Sequence, residues 1–231
     1  MSFSDRPVKW IVTCEHGGNK IPFDFQYLFK GKREVLNSHR GMDLGVKSAF
    51  NQFKIISDFW IINQVSRLLI EFNRSLHHPK LYSEFSRELS IKEREKLVEH
   101  YYLPYRNRIV KSIEDFISEG HLVVHLSIHS FTPVLDEKER NADIGLLYDP
   151  GRSDERRFCY EWKRRFSNEL SGYRTRMNYP YLGKADGLTT FLRKKFVKDY
   201  IGVEVELNQK HVKDFARISR VMTDCLPRKI L

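Results

Sequence analysis

The chain has 231 residues and a mass of 27.6 kDa, which suits one large domain with a sizeable core. With 41% hydrophobic and 13% aromatic residues in periodic stretches it is not a disordered chain, and no apolar run approaches the ~18–20 residues of a membrane span. A net charge of +10 attracts anionic small molecules. The surplus sits in "RRFCYEWKRRF", "LRKKFVKDY" and the tail "CLPRKIL", stretches with acidic neighbours that read as solvated faces. Without zinc-finger spacing or an RNP-like aromatic pattern, nucleic-acid binding is not expected. Cys14, Cys159 and Cys225 form no CxxC pair and are expected as free buried thiols. The opening "MSFSDRPVKWIVTCEHGG" has only a short apolar patch, so a cytosolic (cytoplasmic) protein is expected.

Taken along the chain, a first strand is predicted over "VKWIVTCE", ending at the Gly-rich turn "HGGNKIP". In "DLGVKSAFNQFKI", Leu44, Val46, Ala49, Phe50 and Phe53 fall on one helical side. "DFWIINQV" and "RLLIEFN" read as strands. The span from Ser90 to Gly120 is helical with an interruption near Pro104; Ser90 and Glu93 have capping-box spacing, and Gly120 is a stop. "HLVVHLSI" then alternates, with Leu122, Val124, Leu126 and Ile128 on one face and His121, Val123, His125, Ser127 and His129 on the other, the pattern of a strand. "ADIGLLYD" gives another short strand, "DERRFCYEWKRRFSNEL" a helix and "YIGVEVEL" a last strand. No repeat or linker interrupts residues 1–231, so a single α/β domain with a largely parallel sheet is predicted.

Ligands of such sheets gather at the carboxyl ends of the strands. On "HLVVHLSIHS" that end is His129; His121 lies about 25 Å away at ~3.3 Å per residue, too far to share an ion. His129 is therefore the working candidate, with His125 as support. Other strand ends offer Glu15 and His16 before two glycines, Asp43 near a helix start, and Asn73 and Arg74 after "IEF". Histidine with carboxylate suits zinc, and a guanidinium suits a substrate carboxylate. Glu204 and Glu206 point away from Val203, Val205 and Leu207, and acidic residues inside an apolar strand are costly unless paired or near a metal. Each of these is also compatible with an ordinary turn, cap, surface arginine or solvent-facing strand.

Seven phrases, "TCEHGGNKIP", "SHRGMDLG", "LIEFNRS", "LSIHSFTP", "RNADIGLLYDPGR", "MNYPYLGKADGLT" and "GVEVELNQ", occur in that order over about 200 residues. Together they resemble the N-formylglutamate amidohydrolase family, distantly related to zinc carboxypeptidases and to the aspartoacylase and succinylglutamate desuccinylase group. The resemblance implies a three-layer α/β/α, phosphorylase/hydrolase-like fold and one Zn2+ per chain. His16 and His129 match the family's metal-binding histidines. In the carboxypeptidase pattern a carboxylate follows the first histidine by three positions; here that position is Asn19, so Asp43 is the preferred third ligand and Glu15 the second choice. Glu206 matches the glutamate that activates water, and Asn73 and Arg74 match the pair that holds the substrate carboxylate. Arg140 and Arg152, flanking "ADIGLLYDP", and Tyr181 are further substrate-binding candidates.

The function implied is zinc-dependent hydrolysis of a short N-acyl group from an acidic amino acid, with N-formyl-L-glutamate as the named substrate. The alternatives are another zinc amidase or peptidase of the same fold, acting on a modified amino acid or cell-wall fragment, and a catalytically silent member that binds an anionic ligand through its basic surface.

Overall fold

The computed structural model describes residues 6–227, so the end of the basic tail lies outside the described residues. The elements follow in chain order: β1 (Val8–Cys14), a 3-10 turn (Phe23–Phe29), α1 (Arg33–Leu36), α2 (Val46–Ile55) and β2 (Phe59–Ile62). Next come α3 (Ile91–Leu97), a π-helical turn (Val98–Tyr102), α4 (Leu103–Ser118) and β3 (Leu122–Phe131). A small hairpin of β4 (Val134–Leu135) and β5 (Lys138–Glu139) precedes β6 (Ile144–Leu147), α5 (Ser153–Phe166) and β7 (Thr175–Met177). The chain closes with α6 (Leu188–Lys195), β8 (Tyr200–Asn208), a second 3-10 turn and α7 (Phe215–Asp224). Among the described residues, no helix is long and apolar enough to cross a membrane.

The main sheet has six strands in the order β2-β1-β3-β8-β6-β7. The first four are mutually parallel; β6 runs antiparallel to β8, and β7 parallel to β6. Alternation in β3 works as read: Leu122, Val124, Leu126 and Ile128 join one buried cluster with residues of α2, α5 and α7, whereas Val123 joins a second cluster with residues of α3, α4 and α6. Helices therefore cover both faces, and the architecture is the three-layer α/β/α expected. The capping box of Ser90 and Glu93 is formed, and Gly120 ends α4 with φ at +86°, a left-handed conformation natural to glycine. The break near Pro104 is the π-helical turn, after which Pro104 sits in the first turn of α4.

One predicted strand is absent. "RLLIEFN" folds as turns, because Leu68, Leu69, Ile70 and Phe72 are all buried and the run has no alternating face to lay on a sheet. Ser66 fixes the first turn: its carbonyl accepts from the Leu69 N–H at 2.9 Å and its hydroxyl from the Leu68 N–H at 3.3 Å. The turns carry Arg67, Glu71, Asn73 and Arg74 across the carboxyl ends of the parallel strands.

The outer edge of β8 has two kinds of partner. Residues Glu204–Leu207 pair with β6, but Tyr200–Val203 extend past it. There a buried ion pair takes the place of a strand. Glu155 of α5 accepts from the Gly202 N–H at 3.1 Å, and Arg193 of α6 donates to the Gly202 carbonyl at 2.8 Å. The two side chains meet at 2.8 Å, and Arg152 donates to the Tyr200 carbonyl at 2.7 Å.

Beneath the strand ends, His125 is fully buried between the Thr13 hydroxyl, at 2.8 Å, and the Tyr200 hydroxyl, at 2.7 Å. Burial drives its basicity down to about 4. In the unfolded chain the same imidazole takes a proton near pH 6.5. The unfolded state thus gains the proton first as pH falls, and stability declines between roughly pH 6.5 and 4. By pH 5 the loss from this residue is about 2 kcal/mol. Urea unfolding at pH 7 and pH 5 should show His125→Gln losing about 2 kcal/mol less than the wild type between those values. Equal losses would contradict a neutral buried His125.

Candidate metal centre and its cavity

β1 delivers Glu15 and His16 just past its last residue. The glycines that follow are required by contact rather than by turn geometry: a Cβ on Gly17 would stand 2.3 Å from the Ile62 side chain, and one on Gly18 2.5 Å from the Gln64 carbonyl. Asp43, ahead of α2, is tied to the same turn by its own N–H, which donates to the His16 carbonyl at 3.0 Å. On β3, His129 stands in register with Glu206 on β8.

Three donor atoms converge. His16 Nδ1 and His129 Nδ1 are 3.2 Å apart, and Asp43 Oδ2 lies 3.0 Å from the latter and 3.4 Å from the former. The far nitrogen of each ring faces a carboxylate. His16 Nε2 makes a short contact with Glu71, and His129 Nε2 lies 3.0 Å from Glu15 Oε2. Glu15 is wholly buried and also accepts from the Ser127 and Tyr105 hydroxyls, the latter at 2.8 Å. Glu71 is held by Arg67 at 2.7 Å, and Arg67 reaches Asp43 at 3.2 Å.

Burial opposes ionisation of Glu15, but hydrogen bonds and charge from His129, with the Ser127 hydroxyl, hold its carboxyl well below the usual range. Asp43 and Glu71 are held low against burial in the same way, the first by His16 and His129 and the second by Arg67 and His16. Two ionised carboxylates behind the rings keep the ring protons on Nε2, which leaves two Nδ1 lone pairs pointing at each other. Only a proton or a cation between them relieves that repulsion. Despite burial, Asp43 and Glu15 raise the His129 base well above its ordinary value. The donor set also fits a metal. Two ligands each ~2.0–2.1 Å from a tetrahedral ion stand about 3.3 Å apart, and the observed spacings are 3.0, 3.2 and 3.4 Å. Histidines backed by carboxylates are the usual setting of such ligands. This geometry separates the two carboxylate candidates, because Asp43 shares the convergence point whereas Glu15 lies behind His129. Asn19 is turned away and donates to Asn37 at 2.7 Å.

A cavity of about 260 Å³ opens over these atoms, lined by His16, Asp43, His129 and Glu206 together with Arg67, Asn73, Arg74 and Tyr181. Glu206 belongs to an interior strand, not an edge, and its Oε2 is buried without a hydrogen-bond partner among the described residues. Burial pushes its carboxyl up to about 8, with Asp43 and Glu204 adding to the effect and His129 and His16 opposing it. Asn73 lines the cavity but is committed to the fold, its Oδ1 accepting the Leu188 N–H at 2.7 Å as a cap on α6. Arg74 donates to the Asp186 carbonyl. Arg140 stands in an adjoining cavity, 3.0 Å from the Tyr181 hydroxyl. Arg152 is a correction: it serves the β8 edge and does not line the cavity. His121 is half-buried near Glu119, apart from the site. Arg67, Glu71, Ser127 and Tyr105 were not singled out from the sequence. The only local signal was the spacing of Arg67 and Glu71 around an apolar run.

A layered α/β protein with a buried histidine–aspartate–histidine group able to hold a metal ion is what fold and site define together. The profile of the N-formylglutamate amidohydrolase family matches residues 8–212, and the chain belongs to that family. It is a hydrolase of an amide C–N bond, of the kind that acts on an acylated amino acid. A gene product of Agrobacterium tumefaciens has a similar structure, with a TM-score of 0.79 at 24% identity, covering 97% of this chain and 92% of that one. An N-formylglutamate amidohydrolase from Ralstonia eutropha JMP134 is similar at a TM-score of 0.65 and 17% identity, covering 95% and 92%. At these identities the likeness concerns the fold. No curated protein matches the chain in sequence.

Proposed function

We propose that the chain is a zinc-dependent amidohydrolase that removes a short N-acyl group from an amino acid, with N-formyl-L-glutamate, giving formate and L-glutamate, as the reference substrate. The convergence of His16 Nδ1, His129 Nδ1 and Asp43 Oδ2, with the unpartnered Glu206 Oε2 in the same cavity, supports this reading most strongly. His16, Asp43 and His129 would hold a zinc ion, which would supply Lewis acidity toward the acyl carbonyl and water. Glu206 takes a proton from water as its oxygen bonds to the acyl carbon, and delivers that proton to the nitrogen as the C–N bond breaks. Arg67, fixed by Glu71 and Asp43, stabilises the oxyanion. Arg74 holds the substrate's carboxylate through its guanidinium.

Elemental analysis of untagged protein tests the centre. About one zinc per chain is expected, lost in His16→Ala and His129→Ala and kept in His121→Ala. Failure to take up zinc at neutral pH would sink the zinc-dependent reading.

A further inference from the structure

Charge is unevenly distributed around the candidate metal centre. Besides the metal-binding group and Glu206, its cavity is lined by Arg67 and Arg74 but also by the carboxylates of Glu204 and Asp186. The adjoining cavity holds about 80 Å³ and shares Asp43, Arg67, Ser130 and Tyr181 with it. Asp43 belongs to the candidate metal centre, and Arg67 is ion-paired with Asp43 and Glu71. The titratable side chains peculiar to the smaller cavity are His39 and Arg140, and no carboxylate other than Asp43 lines it among the described residues.

Arg140 is held in place there without being neutralised. Its N–H donates to the Pro133 carbonyl at 2.7 Å, and its carbonyl accepts from Asn208 Nδ2 at 3.4 Å, two residues beyond Glu206 on β8. The guanidinium donates to the Tyr181 hydroxyl at 3.0 Å. It lies 5.0 Å from the centre of the Tyr181 ring and 5.9 Å from that of Phe131. Aromatic contacts of this kind restrain a guanidinium and leave its charge available. Among the described residues no carboxylate pairs with Arg140. Burial, with the charges of Arg40, Arg67 and Arg140, lowers the basicity of His39, which confirms that the field in this corner is positive.

A dicarboxylic amino acid needs two cationic groups. Arg74 can answer one carboxylate, and a second one directed at Glu204 or Asp186 would meet like charge, which opposes binding. Directed into the smaller cavity, it meets an unpaired and preoriented guanidinium, whose fork suits a carboxylate. The Tyr181 hydroxyl accepts from Arg140 and keeps its own proton to donate to the same group. Resting on the amidohydrolase reading above, we propose that the adjoining cavity is the subsite for the side-chain carboxylate of an acidic amino acid. The Arg140 guanidinium and the Tyr181 hydroxyl bind that carboxylate, while Arg74 holds the α-carboxylate. Arg140 is then the residue that selects glutamate over its neutral analogues.

The test compares metal-loaded wild type and Arg140→Gln on three substrates. These are N-formyl-L-glutamate, N-formyl-L-glutamine, whose side chain is neutral, and N-formyl-L-isoglutamine, whose α-carboxylate is an amide. Wild-type kcat/KM should favour the glutamate derivative over each of the others by at least about tenfold, the reach of a charge-assisted hydrogen bond. In Arg140→Gln the glutamate-to-glutamine ratio should fall to about one, while the glutamate-to-isoglutamine ratio keeps its value. No wild-type preference over glutamine, or an unchanged glutamate-to-glutamine ratio in the variant, would overturn the assignment and leave the amidohydrolase reading intact. So would collapse of the isoglutamine ratio instead, which would put the α-carboxylate on Arg140. If none of the three is hydrolysed, the amidohydrolase reading fails, and calorimetry with L-glutamate and L-glutamine decides the subsite separately. Glutamate-selective binding that is lost in Arg140→Gln would uphold it; no selectivity, or selectivity kept in the variant, would overturn it.

Discussion

Glu206→Gln is expected to keep its zinc and to lower kcat by a factor of at least ~100, within the ordinary range of general-base catalysis. The substitution preserves shape and removes only the capacity to take a proton. Glu206 sits on an interior strand, opposite His129 in register, with one oxygen unpartnered in the cavity. Burial holds its carboxyl at about 8, and a divalent cation nearby would act in the opposite direction, toward ionisation. Elemental analysis, thermal unfolding and turnover on the same preparation separate loss of chemistry from loss of metal or fold. Undiminished turnover would remove Glu206 from its role.

Arg193→Met is expected to cost about 3–5 kcal/mol of stability, the typical effect of removing one partner of a buried ion pair. Glu155 is wholly buried, and Arg193 is nearly so. Without the guanidinium, Glu155 keeps, among the described residues, only Arg152, at 3.3 Å, as a charged partner, and the Gly202 carbonyl loses its donor. Adding Glu155→Leu to Arg193→Met should recover part of the loss by removing the stranded charge. Recovery stays incomplete because the Gly202 N–H also loses its acceptor. Urea or guanidinium unfolding of the three proteins reads this directly, and a single-variant cost below about 1 kcal/mol would mean that the pair does not support the β8 edge.

Long periodic segments were legible in the sequence. The alternation after Gly120 identified β3 and placed His129 near its carboxyl end, and the acidic positions in an apolar run identified the face of β8 that carries Glu206. "RLLIEFN" was misread because a short, fully apolar run has no period to distinguish strand from buried turn. Direction was hidden as well: β6 runs against β8, and no local pattern encodes orientation. Asp43 and Glu15 were equivalent as sequence neighbours of strand ends. They are told apart only by which nitrogen of His129 each one faces. Arg152 was misplaced for a similar reason, since an arginine capping backbone and one awaiting a substrate look alike until the sheet edge is known.

The order of the strands also bears on what happens when the molecule opens only partly. β3 is ten residues long, buried throughout and rich in β-branched and aliphatic residues, the kind of segment that self-associates when exposed. It lies third in the sheet, between β1 and β8, whereas the edges are the four-residue β2 and the three-residue β7. Fraying from either side first releases a segment too short to recruit another chain, while the aggregation-prone strand stays covered by both neighbours.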